Sequence, residues 1–316
     1  MGALAGAKVW VAGHRGMVGS ALLRRLGSED CRLLTVDKAE LDLRRQSATE
    51  AWLEKTRPDL VFLAAAKVGG ILVNDTFPAD FLYDNLMIEA NVIRASASVG
   101  VAKLVLLGSS CIYPREAPQP ISETALLTGP LEPTNEWYAI AKIAGVKLVQ
   151  AYRRQHGRDF IAAMPCNLYG PNDNFDPTSS HVVPALLRRI HEAKVRGDAS
   201  IEIWGTGMPR REFLHVDDAA DALVRLAQTY SDEQLINIGA GQDLTILELA
   251  EAIKQVVGYQ GDTTHDRSKP DGTPAKLLDS SRMQALGWTP RIGLIEGLRD
   301  TYRWYAKHEA SVGHTA

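Results

Sequence analysis

The segment KVWVAGHRGMVG, residues 8–19, constrains the fold of this chain more than any other segment. Its apolar run from Val9 to Ala12 does not alternate, as is typical of parallel strands that are covered on both faces. Glycines follow at positions 13, 16 and 19, and an apolar run from Ala21 then opens a helix. Such glycines permit a tight turn and the close approach of a pyrophosphate, and the helix N-terminus offers free N–H groups to phosphates. The segment therefore predicts a dinucleotide-binding β–α unit.

Apolar strands and helices alternate through most of the remaining chain. Further buried strands are predicted at residues 32–36, 59–65, 103–107, 160–164 and 235–238, and helices at 77–99 and 216–227. This alternation predicts an α/β fold, a doubly wound parallel sheet of the Rossmann type with helices on both faces. Ligands of such a sheet bind beyond the carboxyl ends of its strands. The segments expected at that edge are 13–19, 64–70, 108–113 and 165–170.

The alternation stops at residues 171–213, which are turn-rich and then helical. A second turn-rich segment, residues 268–279, follows a helical stretch nearer the C-terminus. We therefore expect a second, smaller lobe that is assembled from separate parts of the chain. The predicted dinucleotide-binding domain comprises residues 1–170 and about 214–242, and the discontinuous C-terminal substrate-binding lobe comprises about 171–213 and 243–316.

The composition argues against several classes of protein. The net charge of −3 disfavours a nucleic-acid surface, and the lack of any window of about 18 uninterrupted apolar residues disfavours a membrane span. Three widely spaced cysteines favour a reducing compartment over a disulfide framework. The first residues lack the pattern of a signal peptide, and we expect a cytoplasmic protein. His14, His191 and His215 have no partner at metal-ligand spacing, so we expect no metal.

The segment NEWYAIAK, residues 135–142, places Tyr138 and Lys142 four residues apart, on one face of a helix. A lysine ammonium beside a phenol favours the phenolate and brings the pKa of the tyrosine closer to working pH, which suits a proton donor or acceptor. The spacing by itself also fits a solvated helix face. The glycine-rich turn in the same chain favours the catalytic interpretation.

Two opposed signals concern the choice of cofactor. Asp37 ends the second strand, 24 positions after Gly13, where an acidic residue binds the adenosine ribose hydroxyls and disfavours a 2′-phosphate. Arg15, inside the glycine turn, and Lys38 could instead pair with that phosphate. Asp37 could also simply open a loop. The residues alone leave NADP(H) and NAD(H) both open.

Eight segments together resemble one family. They read GHRGMVGSA, AAAKVGGI, GSSCIYP, EPTNEWYAIAKIAG, NLYGPNDNF, SHVVPALLRR, WGTGMPRREFLHVDD and KPDGTPAKLLD. From about residue 8 to 306, the chain is similar to the GDP-L-fucose synthases, bifunctional epimerase/reductases of the extended short-chain dehydrogenase/reductase family. The glycine turn and Tyr-x-x-x-Lys identify only the superfamily. GSSCIYP, SHVVPALLRR and MPRREFLHVDD are more specific, because they match the epimerisation groups and the nucleotide-sugar contacts.

The resemblance implies a reaction and its catalytic residues. The family converts GDP-4-keto-6-deoxy-D-mannose to GDP-L-fucose by inverting C3 and C5 and reducing C4 with NADPH. The cysteine and histidine that exchange the C3 and C5 protons match Cys111 and His181. The tyrosine that protonates the C4 oxygen matches Tyr138, and the lysine that lowers its pKa and holds the nicotinamide ribose matches Lys142. Ser109 matches the hydroxyl that hydrogen-bonds the C4 oxygen.

The resemblance also implies binding residues and an assembly. The positions that match cofactor contacts are Gly13, His14, Arg15, Gly16, Met17, Val18, Gly19, Asp37, Lys38, Leu107, Gly108, Ser109, Ser110, Lys142, Pro165, Cys166, Asn167, Leu168 and His181. The positions that match GDP or sugar contacts are Arg189, Trp204 and Arg211, with Asp271 and Lys276 as weaker matches. Cys166 is also interpreted as a packing residue. NADP(H) is the implied cofactor, with NAD(H) left open by Asp37. A homodimer is implied, in which helices at about 77–99 and 136–156 pair across the interface.

Other functions stay open beside this one. A nucleotide-sugar 4,6-dehydratase would carry Thr-Asp-Glu after the fourth strand, where this chain has Ser109-Ser110-Cys111. A simple 4-epimerase would not need Cys111 and His181. An epimerase/reductase that acts on a heptose is poorly separated by sequence. A cofactor-sensing regulatory protein would typically lose the tyrosine or the lysine, and both are present here.

Overall fold

The computed structural model describes residues 4–269 and 271–312. The strands are β1 (Lys8–Ala12), β2 (Arg32–Leu34), β3 (Leu60–Leu63), β4 (Lys103–Leu107), β5 (Asp159–Pro165), β6 (Asn167–Tyr169), β7 (Ser200–Trp204), β8 (Arg210–His215), β9 (Ile236–Ile238), β10 (Asp243–Thr245), β11 (Asp262–Asp266) and β12 (Ala275–Lys276). The helices are α1 (Met17–Leu26), α2 (Gln46–Thr56), α3 (Ile71–Thr76), α4 (Pro78–Val99), α5 (Glu136–His156), α6 (Val182–Arg196), α7 (Val216–Thr229), α8 (Ile246–Val257), α9 (Ser281–Ala285) and α10 (Leu294–Val312). Short 3₁₀ turns lie at Ser110–Ile112, Glu123–Ala125 and Pro133–Asn135.

A parallel sheet with the strand order β2-β1-β3-β4-β5-β9 forms the centre of the molecule. The predicted α/β fold class is confirmed, and β4 coincides with its predicted range. β2 ends at Leu34 rather than at Val36, because it is an edge strand that pairs only along the first three residues of β1. The strand order reverses at β1, whose neighbours β2 and β3 lie on opposite sides of it. The carboxyl ends of β1 and β3 therefore flank the crevice in which such sheets bind ligands.

The remaining strands pair outside the central sheet. β8 pairs with β6 and β12 in parallel and with β10 antiparallel, and β7 pairs with β11 in parallel. The register of β12 against β8 sets Lys276 beside Arg211. Segments from the middle and the end of the chain are thereby joined near the carboxyl edge of the central sheet, because β6 follows β5 after one residue.

The buried apolar residues form two clusters. The larger one covers the central sheet, and the smaller one joins α6, α8 and α10 to β7. Leu278, Met283 and Trp288 belong to the larger cluster, although residues 243–316 were all expected in the smaller lobe. The division into two domains stays a prediction, and we propose that residues 278–288 belong with the dinucleotide-binding part.

The helices α4 and α5 pack against each other on one face of the central sheet. α4 begins with Pro78 in its first turn, and both helices end at glycines with left-handed backbone, Gly100 (φ 82°) and Gly157 (φ 62°). Their contact brings Glu89 of α4 against Lys142 of α5. Within the described parts of the chain, no helix combines the length and the apolar character that a membrane crossing requires.

Candidate active site

The glycine turn after β1 has no room for larger residues. Gly13 has a φ of 86°, and a Cβ there would lie 2.7 Å from the backbone of Ala65, which follows β3. A Cβ on Gly19 would lie 2.1 Å from the carbonyl oxygen of Gly13. Gly16 precedes α1 and donates its N–H to the same oxygen at 3.1 Å. The turn is thus held tightly against the start of α1, as the pyrophosphate site of a dinucleotide requires.

The residues expected to choose the cofactor are in contact with one another. Arg15 Nη2 lies 2.5 Å from Asp37 Oδ2, and His14 Nε2 lies 3.3 Å from Asp37 Oδ1. These residues line a cavity of about 300 Å³ together with Thr35, Val36 and Glu40. Arg15 therefore occupies Asp37 Oδ2, whereas Asp37 Oδ1 has no hydrogen bond from the described residues. Arg15, with 76% of its side chain exposed, can turn toward an incoming phosphate.

The turn after β4 brings Ser109 and Cys111 together. Ser109 caps the 3₁₀ turn Ser110–Ile112, and its Oγ accepts a hydrogen bond from the Cys111 N–H at 3.3 Å. Asn135, at the end of another 3₁₀ turn, donates from Nδ2 to Cys111 Sγ at 3.3 Å. The thiol is partly accessible and is not part of a disulfide. A half-buried thiol with a hydrogen-bond donor on its sulphur can serve as a general base or acid.

Tyr138 and Lys142 lie beside the same turn, from the first two turns of α5. Lys142 Nζ is 5.8 Å from the centre of the Tyr138 ring and donates to the carbonyl oxygen of Leu107 at 3.0 Å. The Ser109 hydroxyl is a hydrogen-bond partner of the phenol. The predicted i, i+4 neighbours are thus joined to the end of β4, and four proposed catalytic side chains come from two short segments.

The pKa of Tyr138 is set by opposed effects. Burial raises it, the Lys142 charge lowers it, and the net result is a pKa of about 12. Lys142 thus acts on this pKa in the expected direction, but the cost of a buried phenolate exceeds the attraction of the ammonium, so the pKa lies above its ordinary value. The phenol stays protonated at neutral pH, which suits a proton donor.

His181 comes from a third segment of the chain, at the start of α6. It precedes α6, and the loop before it is fixed by the segment after β3: Gly70 donates its N–H to the carbonyl oxygen of Ser179 at 2.9 Å. α3, which begins after Gly70, also contacts the turn that ends at Asn135. His181 is exposed to solvent as a whole residue. Protein atoms nevertheless surround much of its imidazole ring, and this partial removal from water lowers the pKa of the ring. A neutral imidazole carries a proton on one nitrogen and can accept one on the other.

The proposed nucleotide-sugar residues lie on the smaller strands. Arg211 of β8 lies close enough to Cys111 and Glu132 for their charges to raise its pKa, although burial lowers the pKa of this guanidinium overall. Trp204, at the end of β7, is half exposed, and Lys269 Nζ lies 5.6 Å from the centre of its ring. Lys276 neighbours Arg211 through the strand register. Arg211 thus lies near the turn that carries Cys111, and Trp204 offers an exposed aromatic ring at the end of β7.

Two of the weaker assignments have structural partners. Asp271 accepts hydrogen bonds from the N–H and the hydroxyl of Thr206, at 2.7 and 2.9 Å, and so fixes the turn after β7. Arg189 donates to the carbonyl oxygen of Glu202. Each therefore contributes to the architecture around Trp204, and a ligand contact would require Arg189 to exchange this partner.

The cofactor positions after β5 are mostly inward-facing. Cys166 belongs to the larger core cluster, and burial raises the pKa of its thiol, which agrees with the packing interpretation. Asn167 donates from Nδ2 to the carbonyl oxygen of Glu212 at 3.0 Å and so ties β6 to β8. Gly108 lies against Met164, where a Cβ would come within 2.1 Å of the methionine Cε. The ends of β4 and β5 are thus packed closely, below the crevice.

The sequence indicated no metal-ligand partner for His215, but the fold brings Asp217 and Asp300 to it. His215 Nδ1 accepts from the Asp217 N–H at 3.3 Å, so a neutral ring carries its proton on Nε2, which lies 3.6 Å from Asp300 Oδ2. Arg24 pairs with Asp217, and Arg303 pairs with Asp300. Both carboxylates thus have cationic partners, and the absence of a metal from the proposed site stays a prediction.

Sequence reasoning missed two residues of the site, Asn135 and Glu89. Asn135 contacts the Cys111 sulphur. It is the first residue of the segment NEWYAIAK, three positions before Tyr138. Glu89 forms an ion pair with Lys142, with 2.8 Å between Oε1 and Nζ. The available signal for Glu89 was an acidic residue four positions after Asn85 on an otherwise apolar helix face.

The fold and the site define a class of protein. The chain belongs to the NAD dependent epimerase/dehydratase family, whose sequence profile matches residues 9–239. Within that class, the chain is similar to the GDP-L-fucose synthase of Sinorhizobium fredii, with 58% identity over 307 residues, which cover 97% of this chain and 98% of that protein. The resemblance predicted from the eight sequence segments is confirmed.

Solved structures agree with this placement. A GDP-6-OMe-4-keto-L-xylo-heptose reductase from C. jejuni superimposes with a TM-score of 0.91 at 36% identity, over 98% of this chain and 99% of that one. A GDP-L-fucose synthetase from Naegleria fowleri bound to NADP superimposes with a TM-score of 0.89 at 26% identity, over 98% of this chain and 97% of that one.

Proposed function

We propose that this chain converts GDP-4-keto-6-deoxy-D-mannose to GDP-L-fucose, by inversion at C3 and C5 and NADPH-dependent reduction at C4. The observation that carries the proposal is the cluster at the end of β4, in which Ser109 contacts both the Cys111 backbone and the Tyr138 phenol. A thiol suited to moving carbon-bound protons and a phenol suited to protonating an oxygen thus lie around one hydroxyl.

The inversions need a base and an acid on opposite faces of the sugar. The C4 ketone acidifies the protons on C3 and C5, so each centre can invert through an enolate. Cys111 and His181 are the proposed pair, since they approach from the β4 turn and from the start of α6. The pKa of His181, lowered by burial, leaves a neutral ring that can exchange a proton at working pH.

The reduction uses the other half of the cluster. Bound NADPH supplies the hydride to C4. Tyr138 donates its proton to the developing alkoxide, and Ser109 hydrogen-bonds the same oxygen. Because both donors also face an enolate oxygen, they stabilise the intermediate of the inversions as well. Lys142, held by Leu107 and Glu89, keeps a positive charge beside the phenol.

The cofactor is NADP(H), in keeping with the NADP-bound relative. The glycine turn fits the pyrophosphate, and we propose that Arg15 and Lys38 bind the 2′-phosphate at the cavity beside Asp37. On this proposal, Asp37 holds Arg15 until the phosphate takes its place. NAD(H) would bind with the ribose hydroxyls directed at a carboxylate that already pairs with Arg15 and lies 3.3 Å from His14 Nε2.

For the sugar, the similarities favour a fucose precursor over a heptose. The fucose synthase of S. fredii is 58% identical and the heptose reductase of C. jejuni 36% identical, each over nearly the whole chain. We propose that Arg189, Arg211 and Trp204 bind the nucleotide diphosphate or sugar, with Asp271 and Lys276 supporting that surface. Guanidinium groups suit a diphosphate because they bind it through two parallel hydrogen bonds.

The proposed assembly is a homodimer through α4 and α5. Tyr83, Trp137 and Ile140 are exposed on these helices, with exposed fractions of 60%, 42% and 36%, and a pairing of the two helices with a second copy would cover them. We also propose a cytoplasmic setting, because the role given to Cys111 requires a reduced thiol.

The direct test supplies GDP-4-keto-6-deoxy-D-mannose and follows the oxidation of NADPH and NADH separately, with identification of the product sugar. GDP-L-fucose formed faster with NADPH is the expected result. Preference for NADH would keep the reaction and contradict the Arg15/Lys38 site. Absence of turnover on this sugar, with turnover on a GDP-4-keto-heptose, would contradict the proposed substrate.

The variant Cys111→Ser tests the epimerase half. It should suppress deuterium incorporation from heavy water at C3 and C5 by about 10²-fold or more, as expected for loss of a positioned base, while NADPH binding is unchanged. Cys166→Ser is the matched control, since that thiol lies in the core. Unchanged deuterium incorporation in Cys111→Ser would contradict the role of the thiol.

A further inference from the structure

A carboxylate lies directly behind the proposed catalytic lysine. Glu89 Oε1 is 2.8 Å from Lys142 Nζ, and each side chain is only 2% exposed. Lys142 Nζ also donates to the carbonyl oxygen of Leu107 at 3.0 Å. An ammonium has three N–H donors. Leu107 takes one of them and the Glu89 charge holds the group on the α4 side, which leaves a donor for the side on which the Tyr138 ring lies.

The helix α5 is shaped to admit this carboxylate. Gly145 lies one turn after Lys142, and a Cβ there would come within 2.1 Å of Glu89 Oε2 and 2.7 Å of Glu89 Cδ. Glycine within a helix is less stable than alanine. Glycine at position 145 therefore lowers the stability of α5 but leaves the space that the Glu89 carboxylate occupies.

Stability of the fold does not account for the pair. The attraction within a buried ion pair rarely exceeds the cost of removing both charges from water, and apolar residues of similar volume are often as stable or more so. Neither Glu89 oxygen has a hydrogen bond of good geometry within the described part of the chain. The pair is thus better explained by what it does to Lys142 than by what it adds to packing.

The electrostatic effect on Lys142 favours its charged form. Burial, the largest single effect, lowers the pKa of Lys142, but the charges of Glu89 and Tyr138 and the close contact with Glu89 together raise it by more, so that the net shift is upward. Burial also raises the pKa of Glu89, and the Lys142 charge opposes that shift. Among the titratable groups, Tyr138 interacts with both charges of this pair, and Cys111 in turn interacts with Tyr138.

We propose that Glu89 is a positioning residue of the reductase site, which holds the Lys142 ammonium charged and directed toward the Tyr138 phenol. It touches neither the sugar nor the cofactor; it acts mainly through Lys142, and its own charge also raises the pKa of Tyr138. The inference rests on the proposed function, since it takes Tyr138 as the proton donor to the C4 oxygen. Glu89 contacts neither Cys111 nor His181, so the inversions depend on it only through the phenol that stabilises their enolate.

The test compares the full-length protein with Glu89→Gln and with Glu89→Asp, which keeps the charge. For each, the pH profile of kcat for NADPH-dependent reduction is measured from about pH 6 to 10, a range that covers the basic limb of a tyrosine or lysine. NADPH affinity and deuterium incorporation at C3 and C5 are measured at neutral pH. Thermal unfolding reports whether each variant is folded.

The neutral variant should move the basic limb of kcat to lower pH by about one unit, a tenfold loss of rate on that limb, because the pKa of Lys142 falls without its partner. NADPH affinity and KM for the sugar should stay within about twofold of the unsubstituted protein at neutral pH, since Lys142 keeps its hydrogen bond to Leu107. Proton exchange at neutral pH should fall less than reduction does on the basic limb. Glu89→Asp should recover part of the shift.

An unchanged pH profile in Glu89→Gln would overturn the proposal, as would a parallel loss of reduction, exchange and NADPH binding. If the Gln variant does not fold, Glu89→Met is the second neutral variant, and misfolding of both would overturn the proposal in favour of a purely structural role. An unsubstituted protein that reduces no GDP-4-keto-sugar would instead contradict the proposed function, which is a separate result.

Discussion

Two cation–carboxylate contacts stand at opposite ends of the crevice, and they differ in almost every physical respect. Arg15 and Asp37 meet near its rim, where 76% of the arginine side chain and 27% of the aspartate side chain are exposed. Lys142 and Glu89 meet at the end of β4, where each side chain is 2% exposed. Water can replace either partner in the first contact, but in the second nothing else is available to solvate a lone charge.

The difference matches the two tasks that we propose. An exposed pair is worth about 0–1 kcal/mol, so Arg15 can leave Asp37 for a phosphate at little cost. Breaking a buried pair costs several times more, so Lys142 stays in place through a catalytic cycle. Binding of a cofactor thus uses an exchangeable contact, and proton transfer uses a fixed one.

Replacement of the cation in each pair should give the largest difference between the two pairs, measured as the loss in the free energy of unfolding. Lys142→Met leaves Glu89 unpaired in the interior and should lower the free energy of unfolding by about 3–5 kcal/mol at neutral pH. Arg15→Met, the matched control, should lower it by less than about 1 kcal/mol. Urea denaturation of both variants measures the contrast. Equal losses would mean that the buried pair is open to water.

The loss in Lys142→Met should also depend on pH. Burial raises the pKa of Glu89, and without Lys142 nothing opposes that shift. A carboxyl whose folded pKa is raised adds stability below its unfolded pKa and loses it as pH rises. The deficit should therefore shrink as pH falls toward about 4, near the unperturbed pKa of glutamate. A deficit independent of pH would contradict this explanation.

Tyr138→Phe tests whether the fixed pair serves the chemistry. Loss of the proton donor should lower the rate of reduction about 10²–10⁴-fold, with proton exchange at C3 and C5 partly retained. The control is Tyr152→Phe, on the same helix, whose ring packs on Phe160. NADPH oxidation and deuterium incorporation separate the two activities. A normal reduction rate in Tyr138→Phe would rule out the phenol as donor.

The two pairs also show what sequence can and cannot predict here. Tyr138 and Lys142 were found because four-residue spacing is local. Ser109 and Cys111 were assigned through the family resemblance, and the strand-end rule marked only residues 108–113. Glu89 was missed, since its contact depends on how α4 packs against α5, and that packing has no local pattern. Asp37 and Arg15 were both singled out as opposed signals, but only the fold revealed that they neutralise each other.

Gly145→Ala should disturb the buried pair without touching a charge. The new methyl group would lie 2.1 Å from Glu89 Oε2, so the carboxylate or α5 must move. Overpacking of this kind costs about 1–3 kcal/mol, against a gain of up to about 1 kcal/mol from helix propensity. Gly293→Ala is the control, because no atom lies within 4 Å of its added Cβ. Thermal unfolding and the reduction rate should both fall in Gly145→Ala only; a more stable variant with normal reduction would mean that Glu89 can shift freely.

The smallest effect is expected at the exposed pair. Asp37→Asn releases Arg15 and removes a negative charge from the cavity that we assign to the 2′-phosphate. Because exposed charges interact by about 1 kcal/mol or less, preference for NADPH over NADH should rise by no more than about fivefold, mainly through KM for NADPH, and the gain should shrink in high salt. Glu40→Gln, on the same cavity but without a hydrogen bond or ion pair to Arg15 in the described part of the chain, should change the preference less. A fall in NADPH preference would instead mean that Asp37 orients Arg15 for the phosphate, and the exposed contact would then be as fixed in function as the buried one.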